Sequence, residues 1–132
     1  MEASLVPGLR GEKEITVSFE VTAAKYGSGG VEVLATPAMI ALMEGAAFEL
    51  VQAQLPEGYS SVGTRVDIEH LAATPLGMKV KAVAELKQVE GKKLVFSVEA
   101  RDEKELVGRG IHERYIIQSD KFLARVENKT RD

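Results

Sequence analysis

Thr36-Pro37-Ala38-Met39-Ile40-Ala41-Leu42-Met43-Glu44-Gly45-Ala46-Ala47 is the run on which the reading of this chain turns. A hydroxyl residue followed by proline signals a helix start, with Thr36 as N-cap and Pro37 at the first helical position. From Pro37 to Ala47 the only polar side chain is Glu44, and a helix apolar on all sides is a buried helix. The pattern predicts that it runs to about Leu55 and stops at Pro56-Glu57-Gly58. Residues three, four and seven positions from Glu44 are Ile40, Ala41, Ala47, Phe48 and Val51, so the carboxylate is expected to face packing. A buried carboxylate either takes up a proton or finds a partner. A partner is therefore expected.

Strands lie on both sides of this helix. Ile15, Val17, Phe19 and Val21 alternate with polar residues, the period-two signature of a first, half-buried strand. Gly27, Gly29 and Gly30 make a loop before the helix. In the strand after it, Val62, Thr64, Val66, Ile68 and His70 are predicted to share one face, with Arg65, Asp67 and Glu69 on the other. Thr74-Pro75-Leu76-Gly77 reads as a turn, and Met78–Lys87, Lys92–Arg101 and about Glu105–Gln118 as three strands of an antiparallel meander. The charged tail from Asp120 is expected to fray unless Phe122, Leu123 and Val126 dock it. The fold class is α+β, a five-stranded, mostly antiparallel sheet against one long helix. Five strands span roughly 24 Å and one helix covers about 10 Å of that. A second copy of the chain is expected to cover the rest, giving a homodimer or higher oligomer with a cleft at the subunit boundary.

At 132 residues, with 45% hydrophobic and 28% charged content, the chain reads as one domain over 1–132 with a real core. It has no cysteine, which excludes disulfides, thiolate metal sites and a cysteine nucleophile. His70 and His112 are the only imidazoles, so no metal site is expected. A net charge of −3 with interspersed signs argues against a nucleic-acid partner. No leader-like start and no bilayer-length apolar stretch is found, so a membrane partner is not expected and the cytoplasm is the default location.

Thr36, Glu44 and His70 each stand where another aliphatic would do. An imidazole exchanges protons near neutrality, a carboxylate can orient it and stabilise its cation, and an alcohol can attack a carbonyl or position the water that does. Plainer readings stand beside these: Thr36 as a helix cap alone, Glu44 as an ion-pair partner of Arg114, His70 as a satisfied core histidine, and Gly63 as a strand glycine approached by another backbone. Gly108 and Gly110 are expected to let the helix lie close to the last strand. His112 is expected to be structural, and Arg114 to hold a carboxylate.

Ala35 to Glu44, Ser61-Val62-Gly63-Thr64 with His70, Ala73-Thr74-Pro75-Leu76-Gly77 and Gly110-Ile111-His112-Glu113-Arg114 together resemble the hot-dog fold acyl-CoA thioesterases, most closely the fluoroacetyl-CoA thioesterase-like branch. The likeness runs from about Gly8 to Lys129. It implies a sheet wrapped round a central helix, working as a dimer, with acyl-CoA entering between subunits as substrate and no cofactor. The family's catalytic Thr, Glu and His correspond to Thr36, Glu44 and His70. The glycine whose backbone N–H meets the thioester carbonyl corresponds to Gly63, and the arginine of the last strand to Arg114. Where fluoroacetyl-specific members carry aromatic lid residues, this chain reads Tyr26-Gly27-Ser28-Gly29-Gly30-Val31-Glu32. A glycine-rich segment does not shape a tight pocket for one small halogenated acyl group, so another short or modified acyl-CoA is expected. Two further readings share the fold: an acyl-CoA hydratase or dehydratase, and a non-enzymatic acyl-CoA-binding domain.

Overall fold

Strands of 12, 10 and 13 residues fold back on one another because their connecting turns allow it. In the computed structural model, which describes residues 4–131, β3 (Lys79–Glu90) pairs antiparallel with β4 (Lys93–Asp102) through a turn at Gly91, whose φ of 64° suits glycine. The chain turns again into β5 (Leu106–Gln118), antiparallel to β4. β2 (Tyr59–His70) adds to the far side of β5, and β1 (Arg10–Thr16) to β3, giving the order β1-β3-β4-β5-β2 with every pairing antiparallel. β1 and β2 are the sheet edges.

The long helix α2 (Thr36–Gln52) lies across one face of this sheet. Its Met39, Met43, Ala46, Ala47 and Val51 are buried against Val80, Ala82, Ala84 and Leu86 of β3 and Leu94, Phe96 and Val98 of β4. Close approach needs small residues beneath the helix. A Cβ on Gly108 would sit 2.5 Å from Met39 Sδ, and one on Gly11 would sit 3.0 Å from the Ala46 carbonyl oxygen. Gly110 has another role: a Cβ there would run into the Asp67 and Ile68 backbone of β2, so it admits the neighbouring strand rather than the helix.

Four expectations are corrected. The first strand lies earlier than the Ile15–Val21 alternation indicated, at Arg10–Thr16, because its ladder ends where β3 begins, with Thr16 opposite Lys79; Phe19–Val21 is a 3-10 turn with Phe19 exposed. Thr36 is not the N-cap. Ala35 holds that position without a side-chain bond, its carbonyl accepting from Met39 N at 3.0 Å, and Thr36 is the first helical residue. The helix proper ends at Gln52, and Gln54 N to Val51 O and Leu55 N to Gln52 O continue it only as tight turns. The tail does not fray within the described residues but forms α3 (Ser119–Glu127), with Phe122 partly covered and Leu123 and Val126 exposed. A four-residue helix, α1 (Ala23–Tyr26), precedes α2 and closes on Gly27 at φ 75°. No helix among the described residues is long and apolar enough to cross a membrane.

Candidate active site

A bulge in β2 decides which side chains meet the helix. Gly63 pairs with Arg114 and Arg65 with Glu113, so Thr64 has no register partner. Alternation is reset at that point. Val66, Ile68 and His70 keep the inner face, opposite His112, Gly110 and Gly108, whereas Val62 lies opposite the exposed Tyr115 and shares the outer face with Thr64. The expectation that Val62 and Thr64 accompany His70 is thereby corrected. A one-residue insertion reverses every side chain beyond it.

At one end of the helix, Thr36 Oγ1 and His70 Nδ1 are 2.7 Å apart. Because Ala35 occupies the cap position, the Thr36 hydroxyl is free for this bond. The pair lines a cavity of 440 Å³ walled by Ala23, Val33, Leu34, Leu71 and Ala72. The glycine-rich segment before α2 is anchored at both ends, Ala23 N to Val33 O at 2.9 Å and Leu34 N to Thr74 O at 2.9 Å. Burial pushes the His70 imidazole below its ordinary value, with a weaker opposing pull from the Ala72 backbone. Burial thus favours the neutral ring. Its Nε2 is buried and makes no hydrogen bond among the described residues.

The second cluster lies farther along the same helix and strand. Eight residues separate Glu44 from Thr36, about 12 Å of helix axis. Glu44 is half-buried rather than sealed in packing, and its Oε2 is 2.8 Å from where a Gly63 Cβ would stand. Only a glycine leaves room for the carboxylate there. Arg114 does not hold that carboxylate directly: its Nε donates to Ser61 Oγ at 2.8 Å, Nη2 to the Ser61 carbonyl at 2.9 Å and Nη1 to His112 Nε2 at 3.1 Å. Its cation also lies 5.6 Å from the Phe48 ring centroid. Burial pulls the guanidinium below its usual range and the nearby Glu44 charge opposes this, so the two interact through space. Among the described residues, Glu44 has no ion-pair or hydrogen-bond partner.

His112 ties this cluster to β2. Its Nδ1 donates to the Arg65 carbonyl at 2.9 Å while Nε2 accepts from Arg114, which fixes the neutral tautomer. Burial, with the Arg114 charge acting the same way, sets its pKa below the ordinary value against the pull of the Arg65 carbonyl. Ser61 and His112 are thus the residues that aim Arg114. Sequence reading assigned His112 a structural place and passed over Ser61; the signal was its position two residues before Gly63, which puts both on one strand face.

The five residues singled out therefore gather as two groups, Thr36 with His70 and Glu44 with Gly63 and Arg114. Comparison with known proteins places this geometry in context. The family described as fluoroacetyl-CoA-specific thioesterase matches residues 17–120. The chain belongs to that family. It is 43% identical over 99 residues to the fluoroacetyl-CoA thioesterase of Streptantibioticus cattleyicolor, covering 75% of this chain and 71% of that relative. A solved structure of a mutant fluoroacetyl-CoA thioesterase in complex with acetyl-CoA superposes with a TM-score of 0.89 at 36% identity, over 95% of this chain and 98% of that one. A thioesterase superfamily member from Thermus thermophilus matches equally well in shape, with a TM-score of 0.89 and 31% identity over 97% of this chain and 95% of that one. The fold is the hot-dog fold of these thioesterases.

Proposed function

We propose that this protein hydrolyses a short or modified acyl-CoA, releasing the acid and free coenzyme A, at a site made of Thr36, Glu44 and His70. Membership of the thioesterase family carries the reaction class. The observation that supports the residues is the 2.7 Å approach of Thr36 Oγ1 to His70 Nδ1 beside a 440 Å³ cavity, the nucleophile-to-base contact that acyl transfer needs.

With the hydroxyl donating to Nδ1, the ring proton is on Nε2, the atom without a partner. Such an N–H calls for an acceptor, and Glu44 is a carboxylate without a donor among the described residues. Within one chain the two are at opposite ends of the helix–strand pair. β2 is a free sheet edge, however, and two copies pairing antiparallel about Asp67, with Thr64 left out as the bulge residue, bring His70 of one opposite Gly63 of the partner subunit on the same face. The carboxylate lying over Gly63 of the partner subunit then meets the orphaned imidazole nitrogen. The half-exposed Val66 would be covered by the same pairing. A homodimer with two composite sites would satisfy both His70 Nε2 and the Glu44 carboxylate.

In such a site His70 takes the proton from Thr36, or from a water that Thr36 positions, and Glu44 stabilises the resulting imidazolium. The Gly63 backbone N–H is the donor for the developing oxyanion, and Arg114, held by Ser61 and His112, supplies positive potential to the same cluster. The acyl group occupies the cavity beside Thr36, walled by the ends of the glycine-rich segment. The same proposal takes the chain as one domain, cytoplasmic and working without a cofactor or metal.

A thiol-release assay over a panel of acyl-CoAs tests this reading. Turnover of at least one short ester by wild type and its loss in His70→Ala are expected. Binding of coenzyme A esters without thiol release in any of them would make the protein a binding domain instead. A change in enoyl absorbance without thiol release would make it a hydratase.

A further inference from the structure

On the outer face of β2 and β5, away from the helix α2, a groove of 460 Å³ runs beneath α3. Its apolar wall is Val62, Tyr115 and Phe122, and its charged rim is Lys92, Lys121 and Arg125. Among the described residues, no acidic side chain lines it. The neighbouring cations of this face are tied down, Lys93 to Glu113 at 3.5 Å and Arg65 to Glu113 at 3.3 Å. Lys92, Lys121 and Arg125, in contrast, have no ion-pair partner among the described residues. Three uncompensated cations gathered over aromatic surface in a chain of net charge −3 raise one another's energy unless an anion joins them.

We propose that this groove binds the phosphorylated nucleotide of the coenzyme A ester, the cations taking its phosphates and Tyr115 and Phe122 its base; this rests on the hydrolase reading above. Guanidinium and ammonium groups bind phosphate oxygens through charge-assisted hydrogen bonds, and an aromatic face stacks a purine. The placement suits the composite site. Val62 and Thr64 flank Gly63 on the opposite strand face, so antiparallel pairing of β2 with its copy sets the groove of one protomer beside Leu71 and Ala72, which wall the Thr36–His70 cavity of the other. One protomer then holds the acyl end of the substrate and its partner the nucleotide end.

The test compares wild type with the double variant Lys121→Gln/Arg125→Gln, both sites being exposed. Steady-state kinetics are measured with one acyl-CoA and with the matching acyl-pantetheine, which lacks the nucleotide, and binding of adenosine 3′,5′-bisphosphate is measured by calorimetry. The expected result is a KM for the acyl-CoA raised about tenfold in the variant, a rise confined to the nucleotide-bearing ester, and loss of bisphosphate binding. The control Lys104→Gln, in the turn between β4 and β5, has neither effect. Bisphosphate binding of equal strength in wild type and double variant, or an equal KM rise for both esters, overturns the groove assignment. If wild type cleaves neither ester yet binds the bisphosphate through Lys121 and Arg125, the groove stands and the hydrolase reading falls.

Discussion

The two polar clusters that α2 and β2 share differ in how completely one chain satisfies them. Around Arg114, buried donors and acceptors close on one another: Ser61 takes two of its N–H groups, His112 takes a third, and the Arg65 carbonyl takes the His112 proton. Around His70, the Thr36 side is met, and Nε2 is buried and unpaired among the described residues. Glu44 sits beside the satisfied cluster yet bonds to none of it. A satisfied network is a scaffold, and an unsatisfied atom marks a place where something else must come. On the proposed reading, the comparison separates the residues that would hold the site from those that would react.

The sharpest way to break that distinction is to remove the waiting groups. His70→Ala and Glu44→Gln are each expected to lower kcat/KM by roughly 10²–10⁴-fold with a nearly unchanged melting temperature, read by thiol release and thermal denaturation on the same preparations. A large loss of stability in either would move it to the scaffold. Gly63→Ala comes next. Its new methyl would meet the Glu44 carboxylate, the mobile end of a side chain, so a fall in activity of about 10²-fold with little change in stability is expected; retained activity would mean that Glu44 is not needed where it lies.

Smaller effects sharpen the scaffold side. Gly108→Ala pushes against Met39 and Met43 and is expected to cost about 1–3 kcal/mol in a denaturant titration. Of lesser size is the pH response. The folded-state pKa of His112 lies below 6.5, so on acidification the unfolded chain takes up the proton first. Its contribution to stability is whole above pH 6.5 and is lost as pH falls through that value towards the lower folded one. His70, shifted the same way by burial, adds to the trend. Melting temperature should therefore drop between pH 7 and 5, and His112→Gln should flatten the slope; a slope that His112→Gln leaves unaltered would contradict the assigned tautomer.

Much of the architecture was legible because apolar periodicity is a local property. Met39, Met43 and Val51 marked a buried helix, and the strands from Lys79 to Gln118 announced themselves by alternation and by Gly91. β1 was hidden because its inner face carries Gly11 and Lys13, chosen for the helix that lies above them and not for hydrophobicity. The bulge at Thr64 is marked only by the neighbouring Gly63, read instead as room for another backbone, so the faces of Val62 and Thr64 were misassigned although that of His70 was correct. Thr36, Glu44 and His70 were visible as polar residues in apolar runs. Their division into two clusters was not, because helix rise and strand length decide it. Arg114 was given the wrong partner, since Ser61 takes its guanidinium from a neighbouring strand.

Subunit complementation tests the central claim most directly. His70→Ala and Glu44→Gln chains carrying different tags are co-expressed, the mixed dimers isolated through both tags, and thiol release measured. A composite site gives each mixed dimer one intact His70–Glu44 pairing across the boundary and one doubly disabled site, and so about half of wild-type activity per dimer. Activity no higher than that of the two separate variants would contradict the account.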